Sequence, residues 1–155
     1  MRIVYLADYP EFIPELAVLH FAEWSYLHPG ETLEGKKDYL RSNCGRNGVP
    51  TFVIAVEGAA LVGSASLIAQ DMDDHPELTP WLADVFVKPG YRGKGVATSL
   101  IQRIESEARS AGISSLFLYT PDAADLYRRL GWEAVEQCVY KGADVVIMSR
   151  TIQAD

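Results

Sequence analysis

The chain has 155 residues, 48% of them hydrophobic and 23% charged. That length lets one domain bury about 70% of its unfolded surface, and the composition excludes a disordered chain. Its 21 acidic against 14 basic residues give a net charge of −7, which argues against nucleic acid or anionic membrane as a partner and favours a cationic ligand. Cys44 and Cys138 have neither metal-ligand spacing nor the density of a disulfide framework, so no metal and a reducing compartment are expected. The N-terminal apolar run is too short for a signal peptide, and no stretch approaches the ~20 apolar residues of a membrane span; the expected location is the cytoplasm.

In chain order, the β-branched and aromatic residues from Arg2 to Ala7 predict a strand. Pro10 opens a helical pattern through Phe12, Leu16, Leu19 and Phe21 that His28-Pro29-Gly30 ends. Thr32 is placed to cap a second helix through Leu33, Lys37, Tyr39 and Leu40. Two strands, Thr51 to Val56 and Leu61 to Ile68, flank the Gly-containing connection at residues 57–60 and read as an antiparallel hairpin. Gln70 to Pro80, with Asp71, Asp73, Asp74, His75 and Glu77, reads as a solvated loop before a third strand, Leu82 to Val87.

After Pro89-Gly90 and a Gly-rich turn, Leu100, Ile104 and Ala108 mark one apolar stripe on a helix from Val96 to Ala111 that Gly112 stops. A strand from Ser115 to Tyr119, a short helix from Ala123 to Leu130 and a hairpin of Trp132 to Tyr140 with Val145 to Arg150 complete the chain. The strand, helix, strand unit from Leu82 to Tyr119 sets the class as α/β (α+β), a mixed sheet in a single domain spanning residues 1–155.

The most informative segment is Val87-Lys88-Pro89-Gly90-Tyr91-Arg92-Gly93-Lys94-Gly95-Val96-Ala97, which joins a buried strand to a helix N-terminus through glycines and cations. Free N–H groups of the first turn, close backbone approach at glycine and the helix macrodipole together favour a pyrophosphate there. A Walker A loop is excluded, because neither Gly93-Lys94 nor Gly95-Val96 supplies the Gly-Lys-Ser/Thr ending. A dinucleotide Gly-x-Gly-x-x-Gly is excluded because Thr98 stands where the third glycine belongs.

Arg92-x-x-Gly95-x-Ala97 resembles the cofactor motif Gln/Arg-x-x-Gly-x-Gly/Ala of the GNAT superfamily of N-acetyltransferases, and Val87-x-Pro89 before it is similar too. Ala123-x-x-Leu126-Tyr127-Arg128-Arg129-Leu130-Gly131-Trp132 looks like that superfamily's helix and turn after the fifth strand. The resemblance covers Leu82 to Trp132 strongly and the first fifty residues loosely. It implies a central mixed sheet of about seven strands with helices on both faces. It also implies acetyl-CoA as co-substrate and transfer to a primary amine of a small molecule or peptide by direct attack in a ternary complex. Main-chain groups of Phe86 and Val87 would hold the pantetheine arm, and Arg92, Gly93, Lys94, Gly95, Val96, Ala97 and Thr98 would wrap the pyrophosphate. Thr120 stands where many members carry an asparagine that contacts the cofactor arm, seven residues before Tyr127.

An amine of pKa near 10.4 costs about 4.6 kcal/mol to neutralise at pH 7, so the reaction needs a proton acceptor. It also needs an N–H for the oxyanion and a donor near the leaving sulfur. Tyr127 occupies the donor position of the resemblance. Asp84, three residues before Val87, is the leading base; strand alternation puts it on the face opposite Val85 and Val87 unless a bulge intervenes. Glu23, His28 and His75 are further options, and Trp24, Tyr26 and Trp81 are candidate walls of an acceptor pocket. Alternatives left open are another acyl-CoA and a non-catalytic CoA-binding module. The C-terminal hairpin offers an edge for pairing in a homodimer.

Overall fold

The computed structural model describes residues 1–153. Seven strands form one mixed sheet in the order β1-β2-β3-β4-β5-β7-β6. They are β1 (Arg2–Tyr5), β2 (Thr51–Glu57), β3 (Ala60–Ile68), β4 (Trp81–Val87), β5 (Ser115–Thr120), β6 (Glu133–Tyr140) and β7 (Ala143–Thr151). All neighbours run antiparallel except β4 and β5. The helices are α1 (Ile13–Trp24), α2 (Leu33–Asn43), α3 (Val96–Ser110) and α4 (Ala124–Arg129).

Residues of β2 are buried on both faces, which is why its sequence is a continuous apolar run. Phe52, Ile54 and Val56 pack with Leu16, Ala17 and Leu40 of α1 and α2, while Val53 and Ala55 pack with Leu100, Ile101 and Ile104 of α3. Helices therefore cover both faces, as the resemblance implies. Gly63, in the middle of β3, is required by close approach. A Cβ there would meet the Phe86 carbonyl oxygen at 2.6 Å and the Leu100 Cδ1 at 3.1 Å, so the residue lets β4 and α3 sit tightly against β3.

Several boundaries differ from the sequence reading. The first strand stops at Tyr5, and Leu6–Asp8 and Pro10–Phe12 are single 3₁₀ turns before α1 begins at Ile13. The buried stripe of α1 is Ile13, Leu16, Ala17 and His20; Leu19 and Phe21 flank it, because the helix starts three residues later than Pro10 suggests. The last hairpin turns on Lys141 and Gly142 alone, both with positive φ, so β7 begins at Ala143. The polar 69–80 connection is only partly solvated, since Met72 is fully buried with Trp81 and Ile147.

The strand β4 carries a bulge. Ala83 pairs with Ser66 and Phe86 with Ser64, so Asp84 and Val85 together face the single residue Ala65, and Asp84 adopts φ 57°. The extra residue resets the alternation. Leu82, Val85 and Val87 all pack toward α3, whereas Ala83 packs with Trp81 and Ile68, and Phe86 meets His20 and Trp24 of α1. Beyond Trp81↔Phe117, the parallel pair β4 and β5 has no further register partners, and the two strands part.

His20 ties α1 to this strand. Ser64 Oγ donates to the Asp84 carbonyl at 2.7 Å, so the His20 Nε2–H donates to Ser64 Oγ at 2.9 Å and the buried Nδ1 is a bare lone pair with no partner among the described residues. Burial, opposed by Asp84 and reinforced by Lys36, drives the imidazole pKa from 6.5 down to about 3. A depressed pKa on a base means full stability above 6.5, lost as pH falls toward 3. Urea unfolding at pH 7 and at about pH 4.5 should show the native protein losing about 2–3 kcal/mol more than His20→Gln over that interval. Equal losses would show that the ring is not held neutral.

Candidate active site

The turn between β4 and α3 has the geometry of an anion cradle. Gly95 caps α3 with φ 81° and provides no side-chain hydrogen bond, so the N–H groups of Val96, Ala97 and Thr98 have no side-chain cap. Gly93, at φ 76°, and Gly95 both face open space where a Cβ would lie. A cavity of about 430 Å³ runs along this turn and is lined by Phe86, Val87, Arg92, Gly93, Gly95, Val96, Ala97 and Thr98, continuing to Leu126 and Tyr127 on α4. Lys94 is exposed above it, its ammonium 5.8 Å from the Tyr91 ring centroid. These residues fit the diphosphate of a CoA molecule: unpaired amides, two glycines that admit it, and two cations.

Main-chain register sorts the two residues expected to hold the pantetheine arm. The Lys88 N–H donates to the Val62 carbonyl at 2.9 Å, and antiparallel alternation turns Phe86 toward β3 in the same way. Val87, between them, turns to the open edge of β4, where its carbonyl accepts the Arg92 Nε–H at 2.8 Å. That bond, a 3.9 Å approach to Glu23 and the Phe86 ring beneath it hold the Arg92 guanidinium beside the cradle.

Where β4 and β5 part, a second cavity of about 170 Å³ lies between them. Tyr127, Val85, Glu23, Asp122 and Ala123 line both cavities, so the two meet at these residues. Tyr127 is buried, lies edge-on to Trp132 and makes no hydrogen bond with the described residues. Burial and the nearby Asp122 push its pKa up, so it remains a phenol, a donor. Thr120 lines the inter-strand cavity, and its Oγ accepts the N–H groups of Ala123 at 2.9 Å and Asp122 at 3.3 Å, which shapes the entry into α4.

Asp84 projects away from Val85 and Val87 into the inter-strand cavity and into an adjoining one of about 400 Å³. Its carboxylate accepts the Tyr39 hydroxyl at 2.6 Å and the Ser66 hydroxyl at 2.7 Å, with the Lys36 ammonium at 3.8 Å. Burial alone would raise its pKa; Lys36 and the two hydroxyls outweigh that and lower it. Lys36 is itself buried, 4.4 Å from the Tyr39 ring centroid, and lies on the stripe of α2 that also carries Leu33 and Leu40.

Of the other sequence candidates, Glu23, Trp24, Tyr26 and His28 line the inter-strand cavity. Trp81 does not: it is fully buried against Phe117 and Tyr119 and belongs to the core. His75 lies at the outer hairpin, bonded to Asp74 and Glu136; with Glu136 and Cys138 it forms a group whose ligand-type atoms lie within 4.8 Å of one another. Sequence reading missed Lys36, Asp71 and Tyr119, all lining the inter-strand cavity. For Lys36 there was a signal, since it shares the helical face of Leu33 and Leu40; for Asp71, set among Asp73 and Asp74, there was none.

Among the described residues no helix is long and apolar enough to cross a membrane. Residues 13–132 match the model of the acetyltransferase (GNAT) family. The thialysine N-epsilon-acetyltransferase of Bos taurus is 40% identical over 55 residues, which cover 33% of this chain and 32% of that protein. The IAA acetyltransferase of Azospirillum brasilense is 32% identical over 85 residues, covering 52% of this chain and 53% of that protein. The chain thus matches only about a third to a half of the length of these curated relatives. In fold, it superposes on a solved aminoglycoside 6'-N-acetyltransferase complexed with coenzyme A with a TM-score of 0.78, at 18% identity, over 100% of this chain and 99% of that one. With the family model spanning most of the chain and the seven-stranded fold agreeing with it, this protein belongs to the acetyltransferase (GNAT) family.

Proposed function

We propose that the protein is an acetyl-CoA-dependent N-acetyltransferase that acetylates a primary amine of a small molecule or peptide. The observation that carries this reading is that the two cavities meet at Val85 and Tyr127, which line both. One suits a diphosphate, and the other brings Glu23, Asp71, Asp84 and Asp122 around a common space. An acyl group at the junction would be approached by a cation from the acidic cavity. Direct attack in a ternary complex needs no covalent enzyme intermediate.

In this reading the pantetheine arm lies along the open edge of β4, using the main chain of Val87 as its guide. Arg92 through Thr98 hold the diphosphate. A main-chain N–H on the same edge stabilises the oxyanion as the amine nitrogen bonds to the thioester carbon. Tyr127 donates a hydrogen bond to the sulfur as the carbon–sulfur bond breaks. Its raised pKa makes full proton transfer to the thiolate uphill, so its part is to stabilise charge, and the second nitrogen proton ends on the thiol. Thr120 fixes the turn that delivers α4 and Tyr127 to the junction. Asp84, held by three partners, keeps the acceptor cavity negative and oriented.

Acetyl-CoA should raise the melting temperature, and Gly95→Asp, which places a carboxylate at an amide cradle in left-handed backbone, should abolish the shift while Arg92→Ala reduces it. No shift with any acyl-CoA overturns the reading. Tyr127→Phe should lower kcat by about 10–100-fold with little change in acetyl-CoA affinity; unchanged kcat would reduce the ring to packing on Trp132.

A further inference from the structure

Two carboxyl groups, Asp84 and Asp71, border both the inter-strand cavity and the adjoining one toward Pro29 and Lys141. Their situations are opposite. Asp84 already receives two hydroxyl hydrogen bonds and the Lys36 ammonium, which leaves it a weak acceptor of a further proton. Asp71, in the connection between β3 and β4, makes no hydrogen bond and no ion pair within 4 Å among the described residues, although it is partly buried and borders the cavity that Tyr127 closes. A carboxyl group that lines a cavity with no partner among the described residues has its acceptor positions open to an arriving cation.

Resting on the acetyltransferase reading, we propose that Asp71 is the carboxylate that docks the acceptor's ammonium group and takes one proton from it before the nitrogen attacks. The ammonium gives a proton to Asp71 and becomes a neutral amine. Its nitrogen then bonds to the thioester carbon, the carbon–sulfur bond breaks, and the remaining surplus proton of the nitrogen is carried by the CoA thiol. Asp71 returns its proton to water. Each turnover releases one proton, as amide formation from an ammonium ion requires.

The surroundings of Asp71 suit it to this task. Burial and then the charge of Asp84 raise its pKa to about 8, against the opposing pull of Lys36 and Lys141. Tyr39 on α2, Tyr119 on β5 and Tyr140 on β6 face it as neutral phenols. His28 and Glu31, in the connection after α1, border the adjoining cavity, and burial keeps His28 below its usual pKa. Proton transfer from an amine of pKa ~10.4 to an ordinary carboxylate of ~3.9 runs against a ratio of roughly 10⁶. Transfer to a carboxyl group of about 8 runs against one of roughly 10².

The test uses the full chain, acetyl-CoA and a panel of primary amines that includes 1,4-diaminobutane, spermidine and lysine. For the wild type, kcat/KM should climb to an inflection near pH 8, as Asp71 ionises. Asp71→Asn should lower kcat/KM near neutral pH by about 10²-fold and move the inflection toward the amine's own ~10, whereas Asp71→Glu should recover much of the rate and an inflection below 9 (roughly). CoA affinity by calorimetry should stay within about twofold for both variants, which shows that they fold. Asp71→Asn turning over within about threefold of wild type, with its inflection unmoved, overturns the proposal. So does a loss that Asp71→Glu leaves fully in place. Wild-type protein that transfers acetyl to no amine overturns the acetyltransferase reading itself and the proposal with it, a result distinguished by appearing without any substitution.

Discussion

The arrangement depends on burying one carboxylate, that of Asp84, in the middle of a strand. Removing a carboxylate from water costs several kcal/mol unless the charge is matched. Here Lys36, Tyr39 and Ser66 match it, two of them from α2 and one from the neighbouring strand β3. The contact fixes more than a charge. It fastens α2 to β4, and it holds the residue whose positive φ makes the bulge, after which Val85 and Val87 return to the α3 face. A bulged strand bends and twists more strongly, which fits a parallel neighbour, β5, that keeps register only at Trp81↔Phe117. The gap between the strands, and hence the inter-strand cavity, follows from that divergence.

The same strand serves two electrostatic environments that would interfere if they overlapped. Its C-terminal end leads into glycines, cations and the unpaired amides of α3, where negative charge is favoured. Its bulge opens on carboxylates, where positive charge is favoured. Tyr127, Val85 and Ala123 stand between them together with the carboxylates of Glu23 and Asp122. Two neighbouring cavities thus differ in the charge that their own residues favour. Arg92 straddles the boundary, because it faces the diphosphate cradle and also approaches Glu23 of α1.

Local sequence was enough for the parts that local chemistry decides. Thr32 does cap α2, its Oγ accepting the Gly35 N–H at 3.0 Å; Leu100, Ile104 and Ala108 are the buried stripe of α3; Gly93 and Gly95 do take the left-handed backbone. What local sequence did not decide was pairing at a distance. Asp84 reads like any acidic residue at a strand start until α2, more than forty residues earlier in the chain, supplies its cation and hydroxyl. Trp81 is a candidate pocket wall by its residue type alone, yet Phe117, Tyr119 and the Leu78 carbonyl enclose it in the core. The run Asp71, Asp73, Asp74 reads as solvated, and only the burial of Met72 draws the first of the three inward.

Asp71 and Asp84 show how one cavity can hold two carboxyl groups with different acidities. Both are removed from water, which by itself raises both pKa values. Donors then lower that of Asp84, and the resulting fixed negative charge raises that of Asp71 further. The pair therefore divides its protons instead of sharing them: one member stays ionised and sets the field, and the other holds its proton to a higher pH. Because the separation arises from Lys36, Tyr39 and Ser66, the side chains that stabilise the bulge are also the ones that tune the neighbouring acid. The bulge of β4 and the low pKa of its carboxylate thus rest on the same three contacts.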